Sequence, residues 1–154
     1  MNQYVKQYQK THIQTASQEA ILIMLHDAAI QFMNKEKIAI EQKNIQEAHN
    51  NLIRTQDIFN EFLNTLNPEP NPDLAKHLTI LYRYLISQLV QANIKQTTEP
   101  IDVVLGYTKD LKQTWEQAIF KMKAQDAGVQ PKVNPNIYQN QMPEVQTESA
   151  NYDA

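Results

Sequence analysis

Cysteine is absent from the 154-residue chain, which removes disulfide staples, thiolate metal sites and cysteine nucleophiles and is compatible with a reducing compartment. Only two glycines occur, Gly106 and Gly128, too few for a turn-rich fold or a glycine-lined phosphate loop. The longest apolar run, Ala20 to Leu25, is far short of the roughly 20 residues that span a bilayer, so no membrane insertion is expected. Met1 to Lys10 is polar and lacks the apolar segment of a secretory leader. No basic block is present either. Lys plus Arg number 14 against 17 Asp plus Glu, a net charge of -3, which leaves nothing to neutralise a phosphate backbone and argues against a nucleic-acid partner. The chain reads as one cytoplasmic domain.

What is present organises itself around seven prolines. A proline inside a helix costs roughly 3 kcal/mol, so Pro68, Pro70, Pro72, Pro100 and the trio Pro131, Pro135 and Pro143 mark boundaries. Between them the apolar spacing is helical. A first helix, about 17–42, carries Ile21, Leu25, Ala28 and Phe32, widened by Leu22 and Ala29. A second, about 44–66, opens on the Asn44 to Glu47 capping pattern and repeats Ile45, Ala48, Leu52, Thr55, Phe59, Phe62 and Leu66. Asn71-Pro72 starts a third, about 72–95, with Leu74, Leu78, Leu81, Leu85, Leu89 and Ala92 in its seam. Pro100, placed at a first helical position, starts a fourth, about 100–125, with Ile101, Val104, Thr108, Leu111, Trp115, Ala118 and Met122. Short loops force antiparallel neighbours, so the expected fold is all-α: an up-down-up-down four-helix bundle over residues 1–126 with a flexible N-terminal leader. Residues 127–154, rich in Gln, Asn, Glu and proline with single scattered hydrophobes, are expected to form a disordered tail.

Such bundles can be di-iron or di-manganese enzymes, which need Glu-x-x-His on two helices. Here Gln9, Ile23, Gln46 and Leu74 stand three residues before the four histidines, so the pattern is missing. Asp73 and His77 are four apart in a first helical turn, where a lone pair serves capping or solvation. His26 and Asp27 are adjacent and diverge by about 100° on a helix, which suits a buried histidine beside a surface carboxylate rather than an acid–base pair. No nucleophile elbow surrounds Ser17, Ser87 or Ser149. No catalytic residue, cofactor or metal is assigned, and the chain is expected to hold another polypeptide rather than to catalyse.

The apolar content exceeds what a bundle consumes, roughly three positions in seven. The third helix adds Ile80, Tyr82, Tyr84, Ile86, Val90 and Ile94, of which Tyr82, Ile86, Val90 and Ile94 form a second stripe at spacing four. The second helix adds Ile53, Ile58 and Leu63, and the fourth Val103, Tyr107 and Phe120. A wide core or a weak homodimer face would use such residues; so would a groove for apolar segments of a partner. Tyr4 and Tyr8 in the polar leader are amphipathic aromatics able to cover a groove and leave it when a ligand arrives.

Tyr8-Gln-Lys-Thr-His-Ile-Gln-Thr-Ala-Ser17 followed by Ile21-Leu-Ile-Met-Leu-His-Asp-Ala-Ala-Ile30 closely resembles the opening of the flagellin-specific export chaperone family, FliS. Asn51-Leu-Ile-Arg-Thr-Gln-Asp-Ile58, Leu89-Val-Gln-Ala-Asn-Ile94 and Trp115 resemble that family's later helices, in order, over about Tyr4 to Met122. Departures are His26 and Ala28, where the family usually has tyrosine and glycine, and Gln18, where it has proline. The resemblance implies a cytoplasmic bundle that binds the C-terminal helical region of flagellin, prevents premature polymerisation and delivers it to the flagellar type III export apparatus. The alternative is a scaffold for other export or regulatory proteins. The expected flagellin contacts are Tyr4, Tyr8, Ile53, Arg54, Asp57, Tyr82, Ile86, Val90 and Asn93. Ile86→Asp is expected to weaken binding with helicity nearly unchanged.

Overall fold

The computed structural model describes residues 17–126, which form four helices and, among the described residues, no strand. They are α1 (Gln18–Glu41), α2 (Ile45–Thr65), α3 (Pro72–Lys95) and α4 (Glu99–Asp126). The leader and the tail, including Tyr4 and Tyr8, lie outside the described residues.

Three helix starts are set by side chains that satisfy otherwise orphaned backbone donors. Ser17 Oγ accepts from the Ala20 N–H at 3.2 Å, Asn44 Oδ1 from that of Glu47 at 3.2 Å, and Asn71 Oδ1 from that of Leu74 at 3.1 Å. The Asn44–Glu47 box is half-formed: Glu47 does not reach back but accepts from Asn51 Nδ2 at 3.1 Å. Pro100 is the second residue of α4 rather than the first, because Glu99 already belongs to the helix. Two tight connections require left-handed backbone, and with glycine so scarce Lys43 (φ 58°) and Gln96 (φ 51°) supply it. Gln96 is held there by its Nε2, which donates to the Asn93 carbonyl at 2.6 Å.

Each helix packs on its two chain neighbours and α4 closes back on α1, so the bundle is a ring. Its antiparallel sense shows in the cross-contacts. Phe32 meets Arg54 near one end of the α1/α2 pair and His26 meets Phe62 further along; Lys37 pairs with Asp102 and Asp27 with Lys112 across α1/α4.

The buried seams of α2 and α3 follow the spacing in the sequence, with Phe59, Phe62, Leu78, Leu85 and Leu89 at their centre. The seam of α1 does not. It runs through His26, Ala29, Met33, Glu36, Ala39 and Ile40, so the helix is turned by about one residue from the Ile21, Leu25, Ala28, Phe32 stripe. Two polar residues, His26 and Glu36, hold inward positions that an apolar pattern skips, while Leu25, Ala28 and Phe32 pack on its flank. In α4 nothing after Leu111 is fully buried, although the spacing carries the seam to Met122.

Candidate functional site

The surfaces that remain for a partner follow from which flank of each helix its neighbours take. On α3, Tyr82 reaches Phe59 (6.1 Å between rings) and Phe62 (5.4 Å) of α2, whereas Tyr84 meets Tyr107 of α4 edge-on at 6.2 Å. One flank therefore turns to α2 and the opposite one to α4. Ile86 and Val90, one and two turns beyond Tyr82, lie half-buried along the α2 flank. Ile53 of α2 is 41% exposed, on the outer side of its helix relative to the buried Leu52, Thr55 and Phe59. Asn93, half-buried on the same flank as Ile86 and Val90, is engaged in the end of α3 through its carbonyl.

Not every expected contact residue belongs to this flank. Tyr82 is a correction: it is 2% exposed and belongs to the aromatic core, because the flank facing Phe59 and Phe62 is itself interior. Burial pushes its phenol up, with the neighbouring Trp115 side chain acting the other way. Ile86 is a partial correction, since it packs against the core cluster, so an aspartate there would disturb the fold as well as any partner. Arg54 turns toward α1, its guanidinium 5.6 Å from the centre of the Phe32 ring, which Lys35 also approaches at 5.8 Å. Asp57 is exposed on the outer side of α2. Ile58, counted in the surplus, is core.

Spacing missed a second apolar surface, at the end of the bundle where α2 ends and α3 begins. The loop through Pro70 leaves a cavity of about 280 Å³ whose walls include Leu22, Phe62, Leu66, Leu74, Tyr82 and Trp115. A neighbouring one of about 170 Å³ is formed by Leu74, Leu78, Leu111, Thr114, Trp115 and Ala118. Leu74 and Trp115 fall in seams by their spacing, but the seam between them is open, which depends on the packing of α3 against α4 and not on periodicity. A third exposed face carries Tyr84, Tyr107 and Val103 along α3 and α4.

The charged groups do structural work. Lys112 donates to Asp27 at 2.6 Å and lies 3.4 Å from Glu116; the hydrogen bond to Asp27 is the main reason its pKa is raised. His26, fully buried, donates or accepts at Nδ1 with the Leu22 carbonyl at 2.8 Å and stacks on Phe62 at 4.5 Å, so it and Asp27 point to different places. Burial lowers its pKa. Among the described residues no three His, Cys, Asp or Glu side chains come together as metal ligands would, and no helix is long and apolar enough to cross a membrane. The arrangement is suited to gripping apolar side chains.

Comparison with known proteins agrees with that chemistry. The family model described as flagellar protein FliS matches residues 1–122. The flagellar secretion chaperone FliS of Bacillus subtilis is 35% identical over 112 residues, covering 73% of this chain and 83% of that protein. The protein of the same description from Vibrio cholerae is 31% identical over 114 residues, 74% of this chain and 84% of its own. That of Campylobacter jejuni is 29% identical over 110 residues, 71% and 86% respectively.

Proposed function

Since the chain belongs to the FliS family of flagellar proteins, we propose that it is a secretion chaperone that holds the C-terminal helical region of flagellin in the cytoplasm. FliS is a chaperone family, not an enzyme family. In this reading the bundle covers apolar client surface that would otherwise polymerise, and hands the client to the flagellar type III export apparatus. The observation that carries it is apolar area along α2 and α3 that the bundle does not fully cover, with Ile53 41% exposed and Val90 half-buried. A largely helical client buries an apolar face on such a surface and pays its ordering entropy on binding. Asn93 would supply a polar contact on α3, Arg54 and Asp57 would do so for a client that also crosses the outer side of α2, and Tyr4 and Tyr8 would cover the apolar surface until the client displaces them. Tyr82 would act from beneath, by holding that surface.

Calorimetry with the isolated C-terminal segment of flagellin tests this directly, with an expected stoichiometry of one to one and a gain in helicity on mixing. Burying one isoleucine is worth about 1.5–3 kcal/mol, so Ile53→Asp should weaken binding by roughly one to two orders of magnitude without loss of helix. Absence of binding to that segment, or equal co-purification of flagellin with and without it, would sink the reading. The Tyr84–Tyr107 face supports a second use, as an adaptor for other export or regulatory proteins or as a weak homodimer contact. A partner there would leave the Ile53→Asp variant's affinity for it unchanged.

A further inference from the structure

α1 and α2 each bury a polar side chain with oxygens that no donor reaches among the described residues: both carboxyl oxygens of Glu36, and Oδ1 of Asn51. The Asn51 amide spends both its hydrogens on Glu47, with Nδ2 donating to the carbonyl at 2.9 Å and to Oε1 at 3.1 Å. That fixes which way the amide points, since a flipped Asn51 would set its oxygen against two acceptors. The helix register brings Glu36 and Asn51 together. Phe32 and Arg54 touch across the flanks by which α1 and α2 face each other. Glu36 is one turn along from Phe32 and Asn51 one turn back from Arg54, about 6 and 4.5 Å at 1.5 Å per residue, and in antiparallel helices those steps run the same way. Each is also rotated from that flank toward the centre of its seam, by about 40° and 60° at 100° per residue, so both belong to one layer between α1 and α2. Lys37, the next residue, takes the α4 flank instead, where it pairs with Asp102.

We propose that Glu36 is folded as the neutral acid and that its hydroxyl donates to Asn51 Oδ1, so that a single proton latches α1 to α2. Two acceptors facing each other out of water lose their hydration without replacement, and one proton satisfies both. The surrounding groups leave no other donor. Level with Glu36 on α4, as the Lys37–Asp102 pair shows, the buried residues are Ile101, Val104 and Leu105, and Asp102 is held by Lys37. On α2 the nearby charges are Glu47, a carboxylate already engaged by Asn51, and Arg54, which is turned onto Phe32. On the side of α1 itself, Lys35 lies by the Phe32 ring, and Glu41 and Lys43 are exposed. Among the described residues, then, no cation comes inward to hold Glu36 as a carboxylate. Burial pushes its carboxyl up to about 8, so the proton stays at neutral pH and leaves above it. The latch is therefore pH-sensitive: past about 8 a carboxylate faces the amide oxygen, and α1 and α2 part at this layer to admit water.

Infrared spectroscopy of the full chain reads the proton directly. A protonated-carboxyl band should be present near pH 6, vanish in Glu36→Gln, shift in Asn51→Leu as its hydrogen bond is lost, and fade above about pH 8. A double-mutant cycle of Glu36→Leu with Asn51→Leu, followed by urea unfolding, should show a coupling of roughly two- to tenfold in the folding constant near pH 6 and none above about pH 9. Starting the cycle from Glu36→Gln instead, whose amide donates without titrating, should keep the coupling at both pH values. Asn51→Ala serves the same cycle if the leucine variant does not fold. Absence of the band near pH 6 would overturn the proposal, by showing an ionised Glu36 held by water. So would a band that Asn51→Leu leaves unmoved, or a Glu36–Asn51 coupling that is absent or equal at both pH values, because either result would send the hydroxyl elsewhere.

Discussion

Glu36 is the residue whose replacement should change the stability of this protein most instructively. It is 0% exposed, in the inward seam of α1 between Met33 and Ala39, and among the described residues neither carboxyl oxygen has a hydrogen-bond partner. Asn51 lies in the same layer, since Glu36 and Asn51 each stand about one turn nearer the α1/α2 connection than the Phe32–Arg54 contact; its Oδ1 is also without a partner. Burial pushes the Glu36 carboxyl up to about 8 from an ordinary 4.5. Below 4.5 the group is protonated whether the chain is folded or not, and no stability is lost. As pH rises from 4.5 to about 8, the unfolded chain ionises while the folded one keeps its proton, so stability falls by about 1.4 kcal/mol per pH unit. The loss reaches about 3 kcal/mol at pH 7 and about 5 kcal/mol at pH 8, then levels off. Glu36→Leu removes it and fills the site with apolar volume, so the variant should be more stable at pH 7 by about 1–4 kcal/mol. Urea unfolding followed by helical circular dichroism, at intervals from pH 4 to 9, measures this. The difference between the two proteins should open steadily across that window and settle to a small pH-independent value near pH 4. Parallel curves would refute the reasoning, because they would mean that Glu36 finds a partner or water when ionised.

Three further outcomes follow from the same structure. Burial lowers the pKa of His26 below 6.5, so the sign is reversed: its contribution is present above 6.5 and lost as pH falls through the folded value. His26→Phe should flatten the acid side of the stability profile in the same urea experiment, and an unchanged acid side would show that the loss arises elsewhere. Gly106 is an exposed residue within α4 where an added Cβ meets nothing within 4 Å, so Gly106→Ala should raise stability by about 0.5–1 kcal/mol in thermal unfolding. Lys112 and Asp27 form a partly exposed pair, so Lys112→Ala should cost less than about 1 kcal/mol, and the cost should shrink in 1 M salt.

The helices were legible because their signals are local. Ser17, Asn44 and Asn71 cap through bonds that span three residues, and proline removes a donor wherever it stands, so these boundaries needed no knowledge of the fold. The exposed Ile53 and the flanking Val90 were legible as surplus for a related reason: a stripe of one helix can be counted against what a bundle uses. Residues whose surroundings come from another helix were not legible. Tyr82 looked like part of an outer stripe, yet Phe59 and Phe62 of α2 enclose it. Ile86 shares that flank and is half-buried for the same reason.

By itself, then, the sequence determined an all-helical chain in four segments, its caps, and the shared residues that place it among the flagellar FliS proteins. Tertiary structure decided how each helix is rotated about its axis. That rotation put His26 and Glu36 inside, turned Arg54 onto Phe32, and left the seam between Leu74 and Trp115 open. The physical reason is one of range: periodicity fixes which residues share a face, but only the neighbour packed against that face fixes whether it is buried.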